Sequence, residues 1–152
     1  MGKGDGGMYT LLVVDDERMI RRGIRALIDF QGLGIGACLE AENGEQAVEI
    51  MEQEHVDLIL ADINMPRMDG LEFCQWAKAR DPSVKIAILT GHDYLDYAIR
   101  AIKVGVDDYA LKPFSRDDVQ ALLFRLVDMK KETDSFATVL QAVCTLALDA
   151  GT

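Results

Sequence analysis

Cysteine, histidine, long apolar runs and positive charge are all scarce in this chain, and each scarcity excludes a class of function. The three cysteines, Cys38, Cys74 and Cys144, are odd in number and far apart, with no CxxC or Cys/His spacing beside them. That argues against a disulfide framework or a zinc site and suits a reducing, cytoplasmic setting. Two histidines, His55 and His92, are too few for a histidine-based metal centre. The longest uncharged run near the end, Ser135 to Leu148, is too short to span a bilayer, so no membrane partner is expected. The opening MGKGDGG lacks the apolar core of a signal peptide, and residues 1–8 read as a flexible leader.

Against 26 acidic residues stand only 16 Lys and Arg, for a net charge of −10. Such a chain repels nucleic acid and anionic membranes unless a basic patch is concealed in it. Arg18, Arg21, Arg22 and Arg25 share one expected helix, but in so acidic a background they read as a solvated face. No nucleic acid is expected to bind this domain.

What the chain does have is alternation, within a length of 152 residues that suits one domain with a proper core. Short β-rich apolar runs occur at Tyr9–Val14, Ile35–Ala41, Leu58–Ala61, Val84–Leu89 and Val106–Leu111. Helical patterns follow them, the first with Ile20, Ile24, Leu27 and Ile28 at i, i+4, i+7 and i+8 before Gly32, Gly34 and Gly36 break it. Asn43 with Gln46, Asp69 with Glu72, and Ser115 with Asp118 read as helix starts of the capping-box kind. Asp93 reads as a further cap, before a helix with Leu95, Ala98, Ile99 and Ile102 on its inner face and Gly105 at its end. Five strands alternating with five helices imply a parallel sheet with right-handed crossovers. The expected fold class is therefore α/β, a doubly wound five-stranded sheet of strand order 2-1-3-4-5 with helices on both faces.

The chemistry lies where the strands end. Asp15 and Asp16 follow the first, Asp62 the third, Thr90 the fourth and Lys112 the fifth. In a parallel sheet all five side chains converge on one edge, and the proposed order puts the first and third strands side by side at the switch point. Singly each has a plain explanation: a turn-capping Asp, a helix-entry Thr, a solvated Lys. Together they do not. Three carboxylates about 5 Å apart would repel by roughly 3 kcal/mol per pair at an effective dielectric of ~20, so the cluster calls for a proton or a cation. Mg²⁺ takes hard oxygen ligands, and a carboxylate beside it can attack phosphorus to form an acyl phosphate. Thr90 and Lys112 are the groups that would then meet the phosphoryl oxygens.

The motifs VVDDE, LADINMPRMDG, LTG and DDYALKP, in that order and spacing, resemble the receiver domain of bacterial two-component response regulators over about Met8 to Lys131. The stretch LTGHDYLDYAIRAIKVGVDDYALKPF is most similar to regulators with arabinose-regulator-type helix-turn-helix output domains. The resemblance implies a flavodoxin-like fold and phosphoryl transfer from a histidine kinase to Asp62. It also implies Mg²⁺ at Asp15, Asp16, Asp62 and the main-chain carbonyl of Asn64. Thr90 and Tyr109 then match the switch pair, and Pro113 a proline whose preceding bond is cis. Such a domain is no ordinary enzyme: it promotes only its own phosphorylation and dephosphorylation.

Other readings fit less well. A haloacid-dehalogenase-type phosphatase wants a D-x-D after the first strand, where this chain has adjacent Asp15 and Asp16. A flavin carrier wants a donor-rich loop there, and here the loop is acidic. A receiver degenerated into a docking module would have lost a site residue, and none is lost. Residues 9–131 are expected to form the receiver, with 132–152 a helical extension or a linker to an output domain too large to fit after Lys131. An apolar repeat spaced by three and four (Val119, Leu122, Leu126, Met129, Thr133, Phe136, Leu140, Val143, Ala147) predicts that the last helix runs on and pairs with a second chain. The other expected route to a homodimer is the face built by the fourth helix, fifth strand and fifth helix of the alternation.

Overall fold

A computed structural model describes residues 8–63, 69–91 and 95–150, with the backbone alone for 95–98. The leader through Gly7, Asn64 and Asp93 lie outside the described residues. The chain runs β1 (Tyr9–Val14), α1 (Arg18–Leu27), α2 (Phe30–Leu33), β2 (Ile35–Ala41), α3 (Gly44–Gln53), β3 (Leu58–Asp62), α4 (Gly70–Arg80), β4 (Lys85–Thr90), α5 (Leu95–Val104), β5 (Asp108–Leu111) and α6 (Arg116–Ala150). The five strands form one parallel sheet ordered β2-β1-β3-β4-β5, the doubly wound arrangement expected from the alternation.

Period-two patterning divides the core into two layers. Leu12, Val14, Ile59, Ala61, Ile86 and Ile88 point to the side covered by α3, α4 and α5, where Ala47, Phe73, Cys74, Ala77 and Ala101 meet them. Leu11, Val13, Leu58, Leu60 and Leu89 point to the other side, against Ile24 of α1 and Val119, Leu122, Leu123, Leu126 and Val127 of α6. Every residue of β3 is buried, as a central strand covered on both faces requires. Each of the five α6 side chains contributes roughly 1.5–3 kcal/mol by leaving water, which anchors the first part of that helix.

Several helix starts follow the caps read from sequence. The Asn43 side chain accepts from the Gln46 N–H at 2.8 Å and that of Asp69 from the Glu72 N–H at 2.8 Å. Ser115 and Asp118 make a reciprocal box: the Ser115 N–H donates to Asp118 at 2.8 Å and the Asp118 N–H to the Ser115 hydroxyl at 3.1 Å. At α3 the return bond differs, since the Gln46 side chain accepts from the Glu42 N–H at 2.7 Å.

Four details depart from the sequence reading. The glycine-rich break holds an additional one-turn helix, α2, capped by Asp29, whose side chain accepts from the Gly32 N–H, so the described residues form six helices where five were expected. Gly34 closes that turn at φ +81°, where a side chain would be strained. Leu27 is exposed, because α1 ends there and the chain turns so that Ile28 is buried instead. On α5, Ile99 and Ile102 are exposed and Ala101 is buried: the close approach of this helix to the sheet selects the small side chain. Finally, the arginines of α1 are not simply solvated. Arg21 and Arg25 both pair with Glu40 on β2, at 3.2 and 2.9 Å.

Candidate functional site

The ladder bonds carry on past the strand ends and fix where the polar residues emerge. The Asp15 N–H donates to the Ala41 carbonyl at 3.0 Å, the Ile63 N–H to that of Leu89 at 3.2 Å, and the Lys112 N–H to that of Thr90 at 2.7 Å. Asp15, Asp62, Thr90 and Lys112 are thereby held at one edge of the sheet, with β1 and β3 adjacent at the switch point. Asp16, Glu17, Asp62, Ile63, Thr90, Gly91 and Lys112 line a cleft of about 190 Å³ there.

The electrostatics of this cleft are unusual. Asp15, Asp16 and Asp62 each bring a carboxylate oxygen within 4.8 Å of the others. Asp15 and Asp62 are buried and Asp16 is exposed. One oxygen of Asp15, Oδ1, accepts from the Glu17 N–H at 2.8 Å. Its Oδ2 is the one buried side-chain oxygen or nitrogen among the described residues with no hydrogen-bond partner. Burial, reinforced by the neighbouring Asp62 charge, pushes the Asp15 carboxyl up to about 6. An orphaned, desolvated carboxylate oxygen facing two more carboxylates is the donor set a hard divalent cation takes, so Asp15, Asp16 and Asp62 fit Mg²⁺.

The cationic counterpart is present too. Lys112 Nζ lies 3.3 Å from Asp62 Oδ2. Thr90 is buried, and its hydroxyl makes one long bond, 3.4 Å, to the Gly91 carbonyl, which leaves it able to turn toward a better acceptor. Tyr109 stands on β5 opposite Ile88 of β4 and is exposed. The Lys112–Pro113 bond is cis. Six of the eight residues singled out in the sequence thus stand on or beside one cleft, with Tyr109 on the adjoining face; Asn64 lies outside the described residues.

Two contributors were not visible in the sequence. Arg21 Nη1 donates to the Asp15 main-chain carbonyl at 2.6 Å, fixing the backbone that carries the acidic pair. Its only sequence signal was a place in a basic cluster that read as surface. Gly70, the first residue of α4, packs on the backbone just past β3. A Cβ there would lie 2.7 Å from Ile63 Cα and closer still to the Asp62 carbonyl oxygen. The dipeptide Asp69-Gly70 signalled a turn, not this close approach.

Comparison with known proteins agrees with the geometry. Residues 11–124 match the response regulator receiver domain family. The transcriptional regulatory protein YesN of Bacillus subtilis is 35% identical over 127 residues, covering 84% of this chain and 34% of that protein. The response regulator MprA of Mycobacterium leprae is 30% identical over 139 residues, 91% of this chain and 60% of that one. The chain therefore spans about a third of YesN and three fifths of MprA. Among solved structures, the REC domain of the response regulator AraT from Geobacillus stearothermophilus superposes with a TM-score of 0.73 at 36% identity, covering 86% of this chain and 98% of that one. A two-component transcriptional regulator AraC from Clostridium phytofermentans gives 0.78 at 26% identity, covering 82% and 97%. With the sheet order, the acidic edge and the family match in agreement, this chain belongs to the response regulator receiver domains of two-component systems.

Proposed function

We propose that Asp62 accepts a phosphoryl group from a phosphohistidine of a cognate histidine kinase, and that the modified domain controls a transcriptional output. The observation that carries the reading is the cluster of three carboxylates, two of them buried and one with an orphaned oxygen, beside Lys112 in the cleft. An oxygen of Asp62 bonds to phosphorus as the N–P bond breaks, and the electron pair returns to the imidazole, which is regenerated. Asp15, Asp16 and Asp62, with the main-chain carbonyl of Asn64, would hold Mg²⁺, which would neutralise charge at the transferring group. Lys112 and Thr90 meet the phosphoryl oxygens as charged and neutral donors. The domain acts once per phosphorylation and does not turn over a separate substrate.

Residues 9–131 carry this activity in the cytoplasm, and 132–152 serve as an extension or a link toward an output domain. The test of the reading is phosphoryl uptake from acetyl phosphate. One group per chain is expected by intact mass in the presence of Mg²⁺ and none with excess chelator; uptake indifferent to the metal would overturn the role of the acidic triple.

Thr90 and Tyr109 form the switch. Thr90 moves its hydroxyl to the phosphoryl group, and the exposed Tyr109 ring turns into the space vacated. This repacks the face made by α5, β5 and α6, where Ile99 and Ile102 already stand exposed and a second copy could dock. The phosphate acts only through contacts that differ between the two packings. On addition of beryllofluoride, amide shifts of residues 99–111 are expected to move well beyond those of α3 and β2. Shifts confined to the cleft would place the output elsewhere.

A further inference from the structure

The start of α1 is not held by a cap of its own. Glu17, the residue before the helix, makes no side-chain capping bond, and the first turn carries no acidic side chain. The loop that bears Asp15 and Asp16 is fixed by other contacts, which converge on Asp15. Its N–H donates to the Ala41 carbonyl at 3.0 Å, its Oδ1 accepts from the Glu17 N–H at 2.8 Å, and its main-chain carbonyl accepts from Arg21 Nη1 at 2.6 Å. Oδ2 alone is left over. The carbonyl of Asp15 belongs to the peptide that joins it to Asp16. Pinning that carbonyl therefore sets how the two carboxylates lie relative to each other.

Arg21 is itself placed from a second direction. Its Nε donates at 3.2 Å to Oε1 of Glu40, the neighbour of Ala41 on the edge strand β2. The planar guanidinium makes both bonds at once because its N–H groups diverge in a fixed fork. Arg25 also bonds Glu40, at 2.9 Å, but its other bond goes to the Cys38 carbonyl and not to the acidic loop. The side chain of Arg21 is 13% exposed and that of Arg25 is 53%. An ion pair as exposed as that of Arg25 contributes little, whereas a charge largely withdrawn from water is costly unless its donors are met.

Charge by itself gives Arg21 no reason to stand there. A cation near the start of a helix opposes the macrodipole, and one beside a metal site opposes a second cation. Glu40 offsets that charge only in part, since Arg25 shares it. What Arg21 supplies is geometry. We infer that Arg21 is a positioning residue for the acidic site: by tying the Asp15–Asp16 peptide to Glu40 of the edge strand, it presets the two carboxylates for a divalent cation. This role rests on the proposed binding of Mg²⁺ by the cluster and adds to it a residue that cannot itself ligate a metal. Donors already ordered need not be ordered when the ion arrives, so the apo geometry raises affinity. The two influences of the side chain thus have opposite signs. Removing it relieves repulsion, which tightens metal binding, and frees the peptide, which weakens it.

Binding of Mn²⁺ to the full, unphosphorylated chain, followed by electron paramagnetic resonance of the free ion and repeated with Mg²⁺ as competitor, separates the two. Arg21→Met should bind both ions more weakly by on the order of tenfold, the lower end of the usual loss when a partner behind metal ligands is removed. Arg21→Lys keeps the charge and the stem but lacks the fork, so it should also bind more weakly than wild type; it takes the place of the Met variant should that protein not fold. Arg25→Met removes an equal charge from the same Glu40 pair without touching Asp15, and should bind as tightly as wild type or more so. Acetyl-phosphate uptake by Arg21→Met should be slow at limiting Mg²⁺ and approach wild type at saturation, a split that general damage to the fold would not produce. A folded Arg21→Met protein that binds Mn²⁺ as tightly as wild type would overturn the positioning role while leaving the acidic site intact. So would an equal loss of affinity in Arg25→Met. A wild type that binds neither ion would remove the metal site itself, and this role with it.

Discussion

Asp62→Ala is expected to reduce phosphoryl uptake from acetyl phosphate below detection, while Asp15, Asp16 and the remaining acidic residues stay in place. The expectation follows from position. Asp62 alone among the clustered carboxylates closes a strand buried on both faces and lies 3.3 Å from Lys112. Asp15 commits one oxygen to the Glu17 N–H, and Asp16 is exposed on the loop. Asp62 is the one of the three whose carboxylate pairs with Lys112 among the described ion pairs. Asp62→Asn keeps the shape of the side chain and serves as the folding control. Both variants should melt within a few degrees of the wild type, because each removes a buried charge along with its partner interaction. Labelling of Asp62→Ala at the wild-type rate would move the acceptor elsewhere. Retained labelling of a Lys112→Ala protein at full rate would remove the lysine from the chemistry.

Gly70→Ala should destabilise the fold by about 1–3 kcal/mol, the usual range for overpacking a tight site. In an ordinary helix the same change gains up to ~1 kcal/mol, so the sign itself is diagnostic. The reason is that the new methyl would meet main-chain atoms, the Asp62 carbonyl oxygen and Ile63 Cα, which cannot rotate away as a side-chain tip could. Either α4 lifts from the sheet or the end of β3 shifts. The second outcome would displace Asp62, so slower phosphoryl uptake should accompany a fall in Tm of roughly 2–4 °C per kcal/mol in a chain of this size. Thermal melting by circular dichroism checks the first effect and intact mass the second. An Ala variant as stable as wild type would show that the α4 start yields easily and that Gly70 does not position the acceptor.

Most of the sheet was legible from the chain because its strands are short apolar runs cut off by acids, glycines and prolines. Burial on both faces of β3 requires an unbroken run, Leu58 to Ala61, and the parallel order requires polar residues to collect at one edge. The five residues Asp15, Asp16, Asp62, Thr90 and Lys112 could therefore be placed together before any coordinates. Capping was legible as well, because a side chain bonding its own helix start is a local event. Ser115 with Asp118 was recognisable from spacing alone.

Contacts between distant segments were not legible. Arg21 sits in a run of arginines whose spacing says only that they share a helix. Its bond to the Asp15 carbonyl and its pairing with Glu40 depend on how α1 lies across β1 and β2. The exposure of Ile99 and Ile102 is of the same kind. Periodicity shows that apolar residues share a side of α5, but the distance from helix to sheet decides whether isoleucine or alanine fits between them.

The sequence by itself determined where the strands stop and which charged side chains must share an edge, because strand termination and side-chain alternation are properties of a few consecutive residues. Tertiary structure alone decided that Asp15 keeps one oxygen unsatisfied and that Gly70 has no room for a methyl. Both depend on the relative placement of segments that fold against one another, which no local pattern contains.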